Sequence, residues 1–380
     1  MASIKLSGDT SGEITISAPA VAGTTTLTLP TTSETLATQN SLGVRNLIIN
    51  GDMRIAQRTT SKTGITGTGY YTADRWELIT STAGTWTMTQ DTDVPSGQGF
   101  GSSVKLDCTT ANASLSSNSQ MRMVQHIEAQ NLQHLSFGTS DAKKITGSFW
   151  IKSNKTGTYV VWVYRQDSGR QSSKQFTIDS ANTWEKKTLT FDGDTTGTIA
   201  NDNGRGMEFN IVFCAGTDYT SGTHLNGSWE DLNNANRYVG QVNLADSTSN
   251  YINITACQLE VGDVATPFEH RPYDIELARC QRYYQIMSKG AIGGSYSTTQ
   301  WIGGGNFNTQ MRAAPSASQP TGVATVHDPS TATYAQSSTG IAATYSSTTG
   351  ATFILSNFSG MNAFRPMELY TGEIHFGAEL

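Results

Sequence analysis

The chain reads as an all-β protein: a jelly-roll-like antiparallel sandwich with an N-terminal β arm, one short linking helix and a smaller distal β domain. Three observations predict this. Only 15% of the 380 residues are charged and 37 are glycine, while runs of Ser, Thr and Asn separate β-branched and aromatic residues, a mixture that favours pleated strands and tight turns. Short apolar segments recur between turn residues without a helical period: RWELI, WTMTQ, SVKLDC, SFWIKS, TYVVWVYRQ, KQFTI, WEKKTLTF, EFNIVFCAG and YINITACQLEV. Only the stretch around 274–290 departs from that rhythm, and the total length exceeds what one hydrophobic core usually holds.

Residues 1–43 form the arm. In SGEITISAPAVAGTTTLTLP, apolar Ile14, Ile16 and Ala18 alternate with small polar residues, and Leu27 and Leu29 do so again, which predicts two short strands. So few apolar residues cannot close a core, so the arm needs a partner surface. Residues 44–273 form the central sandwich, which opens with NLIINGDMRIAQR and the turn signal Asn50-Gly51. The period of two in GSFWIKS sets Phe149 and Ile151 on one face and Trp150 and Lys152 on the other. In YVVWVYR it separates Val161 and Val163 from Val160, Trp162 and Tyr164. With Phe149, Ile151, Val161 and Val163 in the core, Trp150, Trp162 and Tyr164 line an outer face.

Residues 274–290 carry the linking helix, predicted from Ile275 to Met287. Asp274 can act as N-cap, Glu276 suits the positive end of the helix dipole, and Gly290 suits the far end. Leu277, Cys280, Tyr284 and Met287 step by three or four residues into one apolar stripe, which must pack on an adjoining sheet or on a copy of itself. Residues 291–380 form the distal β domain, with strands expected in WIGGGNFNT, TYAQSS, IAATYSS and TFILSNF. The run Gly303–Gly305 reads as a turn or bulge, because no Lys-Thr/Ser follows it as a phosphate loop requires.

A net charge of -6 offers no electrostatic footprint for a phosphate backbone, so nucleic acid is not an expected partner. No run of 18 apolar residues predicts a membrane span, and the first twenty residues lack a signal-peptide core, so synthesis in a cytoplasm is the expectation. Cys108, Cys214, Cys257 and Cys280 lack CxxC spacing and read as buried free thiols. Neither HExxH nor GxSxG occurs. The acidic pairs Asp91/Asp93 and Asp192/Asp194 lie in polar turns. The second, in FDGDTTGT, is a candidate structural calcium site, and no other cofactor is expected. Exposed aromatic rings stack on sugar C–H surfaces, which makes Trp150, Trp162, Tyr164, Trp229, Tyr296 and Trp301 the candidate ligand contacts.

Two stretches carry a family resemblance. NLIINGDMRIAQR with YYTADRWEL, and QLEVGDVATPFEHRPYDIELARCQRYY from Gln258 to Tyr284, resemble bacteriophage tail-fibre or minor tail structural proteins, whose sandwich module ends in QLE-G-ATPFE-R followed by EL-CQRYY. The arm resembles the N-terminal segment of marine and cyanobacterial phage fibres, and QMRAAPSASQP is similar to a stretch in such fibre tips. The resemblance implies a non-enzymatic, homotrimeric fibre subunit in the virion tail, anchored through residues 1–43 to other tail or baseplate proteins. It further implies a distal domain that binds a host-surface receptor. A glycan receptor held by multivalent adhesion is the expected mode, with an architectural head-fibre, neck or baseplate role and a glycan-cleaving fibre as alternatives.

Overall fold

The computed structural model describes residues 3–7, 13–17, 45–320, 322–330 and 332–380. Residues 1–43 form one compact unit and residues 44–380 another. In the first, Glu13–Ser17 forms the expected strand around Ile14 and Ile16. Its partner is the antiparallel strand Ser3–Ser7, which the alternation did not single out. The strand expected at Leu27 and Leu29 lies outside the described residues.

The second unit begins with an antiparallel sandwich. Its seven-stranded sheet runs, edge to edge, Glu230–Asp231, Arg170–Ile178, Gly157–Arg165, Arg205–Ala215, Gln120–Glu128, Glu77–Ser81 and Gly69–Tyr70. The six-stranded sheet runs Glu185–Phe191, Ile145–Ser153, Tyr251–Val261, Ser103–Thr110, Thr85–Asp91 and Ser61–Ile65. Phe149, Ile151, Val161 and Val163 all point into the core between the sheets, as alternation predicts. The four cysteines are free and buried. Burial pushes the Cys214 thiol up to about 12 and holds Cys257 and Cys280 well above the usual range.

Strand Tyr251–Val261 is interrupted by a bulge between Thr255 and Gln258, with Ala256 at a left-handed φ of 55°. The Asn50-Gly51 turn docks there. Cys257 N–H donates to Gly51 O at 2.8 Å, and a Cβ on Gly51 would lie 2.0 Å from Cys257 O, so only glycine permits this approach. A buried polar clamp closes over the same place. Glu269 accepts the backbone N–H groups of Arg45 and Asn46, and Arg271 donates to the carbonyls of Asn46 and Ile48 and to the carboxylates of Glu269 and Glu276. Glu276 in turn accepts from Asn50 N–H.

The helix runs from Tyr273 to Gln281, six residues short of the predicted end at Met287. Pro272 occupies the N-cap position without a side-chain cap, and Asp274 lies inside the first turn. The sequence after Arg282 is aromatic and β-branched, and it finds a better partner in a sheet: Tyr284–Met287 pairs with Ile374–Gly377, which pairs in turn with Ser316–Ser318. The expected stripe is therefore divided. Leu277 and Cys280 pack on Ile49, Ile55, Tyr283 and Leu380 of their own chain, the Tyr284 hydroxyl bonds His375 Nδ1, and Met287 joins a second core. Gly290, at φ 91°, turns the chain into the distal sheet instead of ending the helix.

That distal sheet has seven strands, in the order Ala332–Ala335, Thr325–Asp328, Pro366–Thr371, Ile292–Ser295, Trp301–Asn306, Gly350–Leu355 and Ile341–Ser346. The glycine run is neither turn nor bulge but strand interior. A Cβ on Gly303 would lie 2.1 Å from the Trp301 indole, so the glycine clears space for that ring. The distal part is tied firmly to the sandwich. Glu379 pairs with Arg75 and Arg58, Ala378 N–H donates to Tyr283 O, and Arg312 bridges Asn203 O to Ala378 O and Glu379 O.

Arg75 is fully buried, so removing its carboxylate partner strands a charge. Glu379→Ala is expected to cost roughly 3–5 kcal/mol in urea unfolding, with much of the loss recovered in Arg75→Met/Glu379→Ala. The clamp also sets a pH dependence. Burial pushes the Glu269 carboxyl up, but the Asn46 N–H and Arg271 more than offset this, and its folded value lies below the ordinary 4.5. Its contribution is complete above 4.5 and is lost as pH falls through the folded value. The stability lost in Glu269→Gln at pH 7 is therefore expected to shrink below pH 4.5, read from urea midpoints across a pH series. Asp74 acts in the opposite sense: burial raises its carboxyl from 3.8 to about 6, so its ionisation weakens the fold as pH rises through that window. Asp74→Asn is expected to flatten the slope there.

Candidate ligand-binding face

The outward residues of the seven-stranded sheet stand in rows fixed by strand register. One row runs Gln171, Tyr164, Glu208, His126, and the next runs Ser173, Trp162, Asn210, Val124, Glu77. Hydrogen bonds lock them together. Trp162 Nε1 donates to Gln171 Oε1 at 3.0 Å, Arg122 Nε to Asn210 Oδ1 at 2.9 Å, and Gln171 Nε2 to Glu230 Oε1 at 2.8 Å. His126 Nε2 lies 3.0 Å from Glu77 Oε2 and its Nδ1 3.7 Å from Glu208 Oε1; burial still pushes the imidazole below its usual value.

Segment 216–243 roofs part of this face. Tyr238 packs edge-on against Trp162, and the guanidinium groups of Arg237 and Arg122 lie 4.8 and 5.5 Å from its ring centre. Trp162 is consequently only 2% exposed, not the open platform expected of it. Its role is to hold Tyr164, whose half-buried ring stacks against it at 5.2 Å with planes 14° apart. Tyr164 is the ring a ligand can reach.

The other candidates are dispersed. Trp150 does face outward, but from the six-stranded sheet, so it shares no surface with Trp162 and Tyr164. Trp229 is partly buried against the sandwich core and donates to Asp192 O. Trp301 is fully buried in the distal core beside Phe353 and is no ligand contact. Tyr296 is 56% exposed, on a loop that pairs with the loop carrying Phe364, which is 85% exposed at a left-handed φ of 60°. Nothing in the sequence analysis points to Phe364, Arg122, Arg237 or Tyr238. An aromatic inside the turn-rich string SGMNAF was the available signal for Phe364; for the roof there was none, because it is made by long-range packing.

The calcium candidate is corrected by its neighbours. Asp194 is buried and accepts from Arg165 and Arg170, so two guanidinium groups already occupy the place of a cation, while exposed Asp192 lies 3.6 Å from Lys144 Nζ. The other acidic pair is likewise committed, since Asp93 accepts from Lys152 and Trp184. Among the described residues no cluster of three or more His, Cys, Asp or Glu could hold a metal, and no helix is long and apolar enough to cross a membrane.

Fold and face together define an antiparallel β-sandwich protein with a hydrogen-bonded, largely buried polar-aromatic sheet face from which Tyr164 is partly exposed. No protein-family model matches the sequence, and no curated protein matches it. Among solved structures, the chain is similar to the enzymatically active domain of bacteriophage CBA120 tailspike protein 4, at 14% identity and a TM-score of 0.30 over 57% of this chain. It spans only 21% of that tailspike chain. It is similar to TmCBM61 in complex with β-1,4-galactotriose, at 10% identity and a TM-score of 0.29 over 57% of this chain and 99% of the other. It is also similar to the family 11 carbohydrate-binding module from Clostridium thermocellum in complex with a β-1,3-1,4-mixed-linked tetrasaccharide, at 12% identity and a TM-score of 0.26 over 55% and 98%. Likenesses this low carry no functional argument.

Asp194→Asn leaves Arg165 and Arg170 without their shared counter-ion. A loss on the order of 3 kcal/mol is expected. Neither excess calcium nor EDTA is expected to move the melting temperature of the unmutated protein in calorimetry.

Proposed function

We propose that this chain is a saccharide-binding attachment protein, a phage tail-fibre subunit that holds its virion to a host-surface glycan. The observation that carries the reading is the half-buried Tyr164 ring, stacked on the buried Trp162 and standing between Gln171 and Glu208 in its row, both of them buried and so supports of the ring. An aromatic ring meets the C–H face of a sugar, and planar amide, guanidinium and carboxylate groups meet its hydroxyls. A ring held in place before binding loses little entropy on contact. The resemblance of 258–284 to tail-fibre proteins supports the virion assignment, a homotrimer and anchoring through residues 1–43. In such an assembly, repetition of a weak site supplies avidity.

Binding without cleavage is the preferred mode, because Asp93 and Asp194 are bound by basic partners. A glycan-cleaving reading has one observation in its favour: Glu77 and Glu208 flank His126 on the same face, as paired carboxylates flank a scissile bond in glycosidases.

Binding of the full chain to host cells and to their purified surface polysaccharide, with mass from light scattering, tests the proposal. Tyr164→Ala is expected to weaken single-site binding about two- to tenfold, the range of an aromatic contact of roughly 0.5–1.5 kcal/mol, with the fold and the trimer unchanged. Unimpaired binding by Tyr164→Ala moves the site away from this face, and loss only in Tyr296→Ala/Phe364→Ala places it on the distal loops. Shortening of the polysaccharide on incubation favours the cleaving fibre, and assembly onto particles without cell binding favours an architectural role.

A further inference from the structure

A cavity of about 180 Å³ lies at the end of strand Gln120–Glu128, between the 45–50 segment, the turn-helix Ala129–Leu135 and the helix Tyr273–Gln281. Asn131 and His134 form its exposed rim, and Arg279 and Tyr283 line it from the helix side. His126, two strands from Tyr164 in the same row, also lines it.

Arg279 stands apart from its neighbours. Arg271 is held by Glu269 and Glu276, Arg282 makes two bonds of 2.7 Å to Glu128, and Arg75 pairs with Glu379. The Arg279 guanidinium has no hydrogen bond or ion pair with any described residue. It is half-buried and senses Glu276 and Glu269 only through space, while Arg271 beside it adds to the positive field. The remaining charges here are Glu128, neutralised by Arg282, and Lys143, whose field reaches His134. The Arg279 guanidinium thus stands half-buried at the cavity with no carboxylate bonded to it, free to meet an anion that enters.

We propose that this cavity takes the carboxylate of an acidic sugar residue, with Arg279 as its bidentate partner and Asn131 and His134 contacting the ring. The inference rests on the saccharide-binding reading and narrows it to uronate-type or sialate-type glycans. Planar carboxylate matches the guanidinium fork. The cavity is smaller than the ~300–1,000 Å³ of sites for drug-sized ligands, so it admits one residue of a chain whose remainder lies outside it.

The test uses the full-length chain with polygalacturonate, its carboxyl-reduced neutral counterpart and free galacturonate, read by calorimetry and affinity electrophoresis. The unmutated protein is expected to prefer polygalacturonate by roughly ten- to a hundredfold, the range of a charge-assisted hydrogen bond. Arg279→Gln is expected to erase that preference while keeping affinity for the neutral polymer, and Arg279→Lys to restore part of it. Because the Arg279 guanidinium bonds to no described residue, Arg279→Gln is expected to fold with an unchanged or higher melting temperature. Equal affinity for the two polymers, or an Arg279→Gln protein that retains the preference, overturns the proposal. Galacturonate binding that depends on Arg279, without binding of either polymer, upholds the cavity and overturns the sheet-face reading. Binding of neither polymer nor monomer overturns the acidic-sugar site, while binding to the host's own surface polysaccharide decides the saccharide-binding reading separately.

Discussion

The rest of the structure depends on the guanidinium of Arg271. It donates to two backbone carbonyls of the 45–50 segment, to Glu269 on its own loop and to Glu276 on the following helix, so one planar group fixes three pieces of chain. A hydrophobic side chain could fill the same volume but could not specify which carbonyls it faces. Buried ion pairs add little net stability compared with good apolar packing, and their best-attested use is to select one arrangement over its neighbours. Here the arrangement selected is the seating of the Asn50-Gly51 turn on the bulge at Ala256, an approach that tolerates no side chain at Gly51. The position of helix Tyr273–Gln281 follows from it.

The clamp is one part of a hydrogen-bonded joint that runs from Gln258 to Tyr283. Gln258 donates to Glu260 and accepts from Glu269 N–H, Glu260 accepts from Thr266, Glu269 and Arg271 form the clamp, and Arg282 and Tyr283 donate to Glu128.

Local periodicity made part of the fold legible. Alternation placed Phe149, Ile151, Val161 and Val163 in the core because a strand face is decided by nearest neighbours in sequence. It failed wherever a distant segment decided the outcome. The helical stripe through Tyr284 and Met287 was overruled by pairing with Ile374–Gly377, about ninety residues away. Trp301 and Trp162 look alike in sequence to any exposed aromatic, yet one is enclosed by the distal core and the other by the 216–243 roof. Of the candidate face, Trp162 and Tyr164 could be named from the sequence. Glu77, His126, Asn210 and Glu208 could not, since only the pairing of four strands brings them into register with the aromatic pair.

The same clamp bears on what the sandwich end can bind. By drawing Glu269 and Glu276 to Arg271, it removes the two carboxylates through which Arg279 could have been neutralised within its own helix and loop. Glu128 is likewise taken by Arg282 and Tyr283, and Glu379 by Arg58 and Arg75. Each of these pairings is required to hold a segment, so none can be released to Arg279 without loosening the joint. A positive charge left over beside a cavity is therefore a consequence of how the sandwich is fastened to the helix and the distal sheet. It is also a charge that an external anion can meet without competing against the fold.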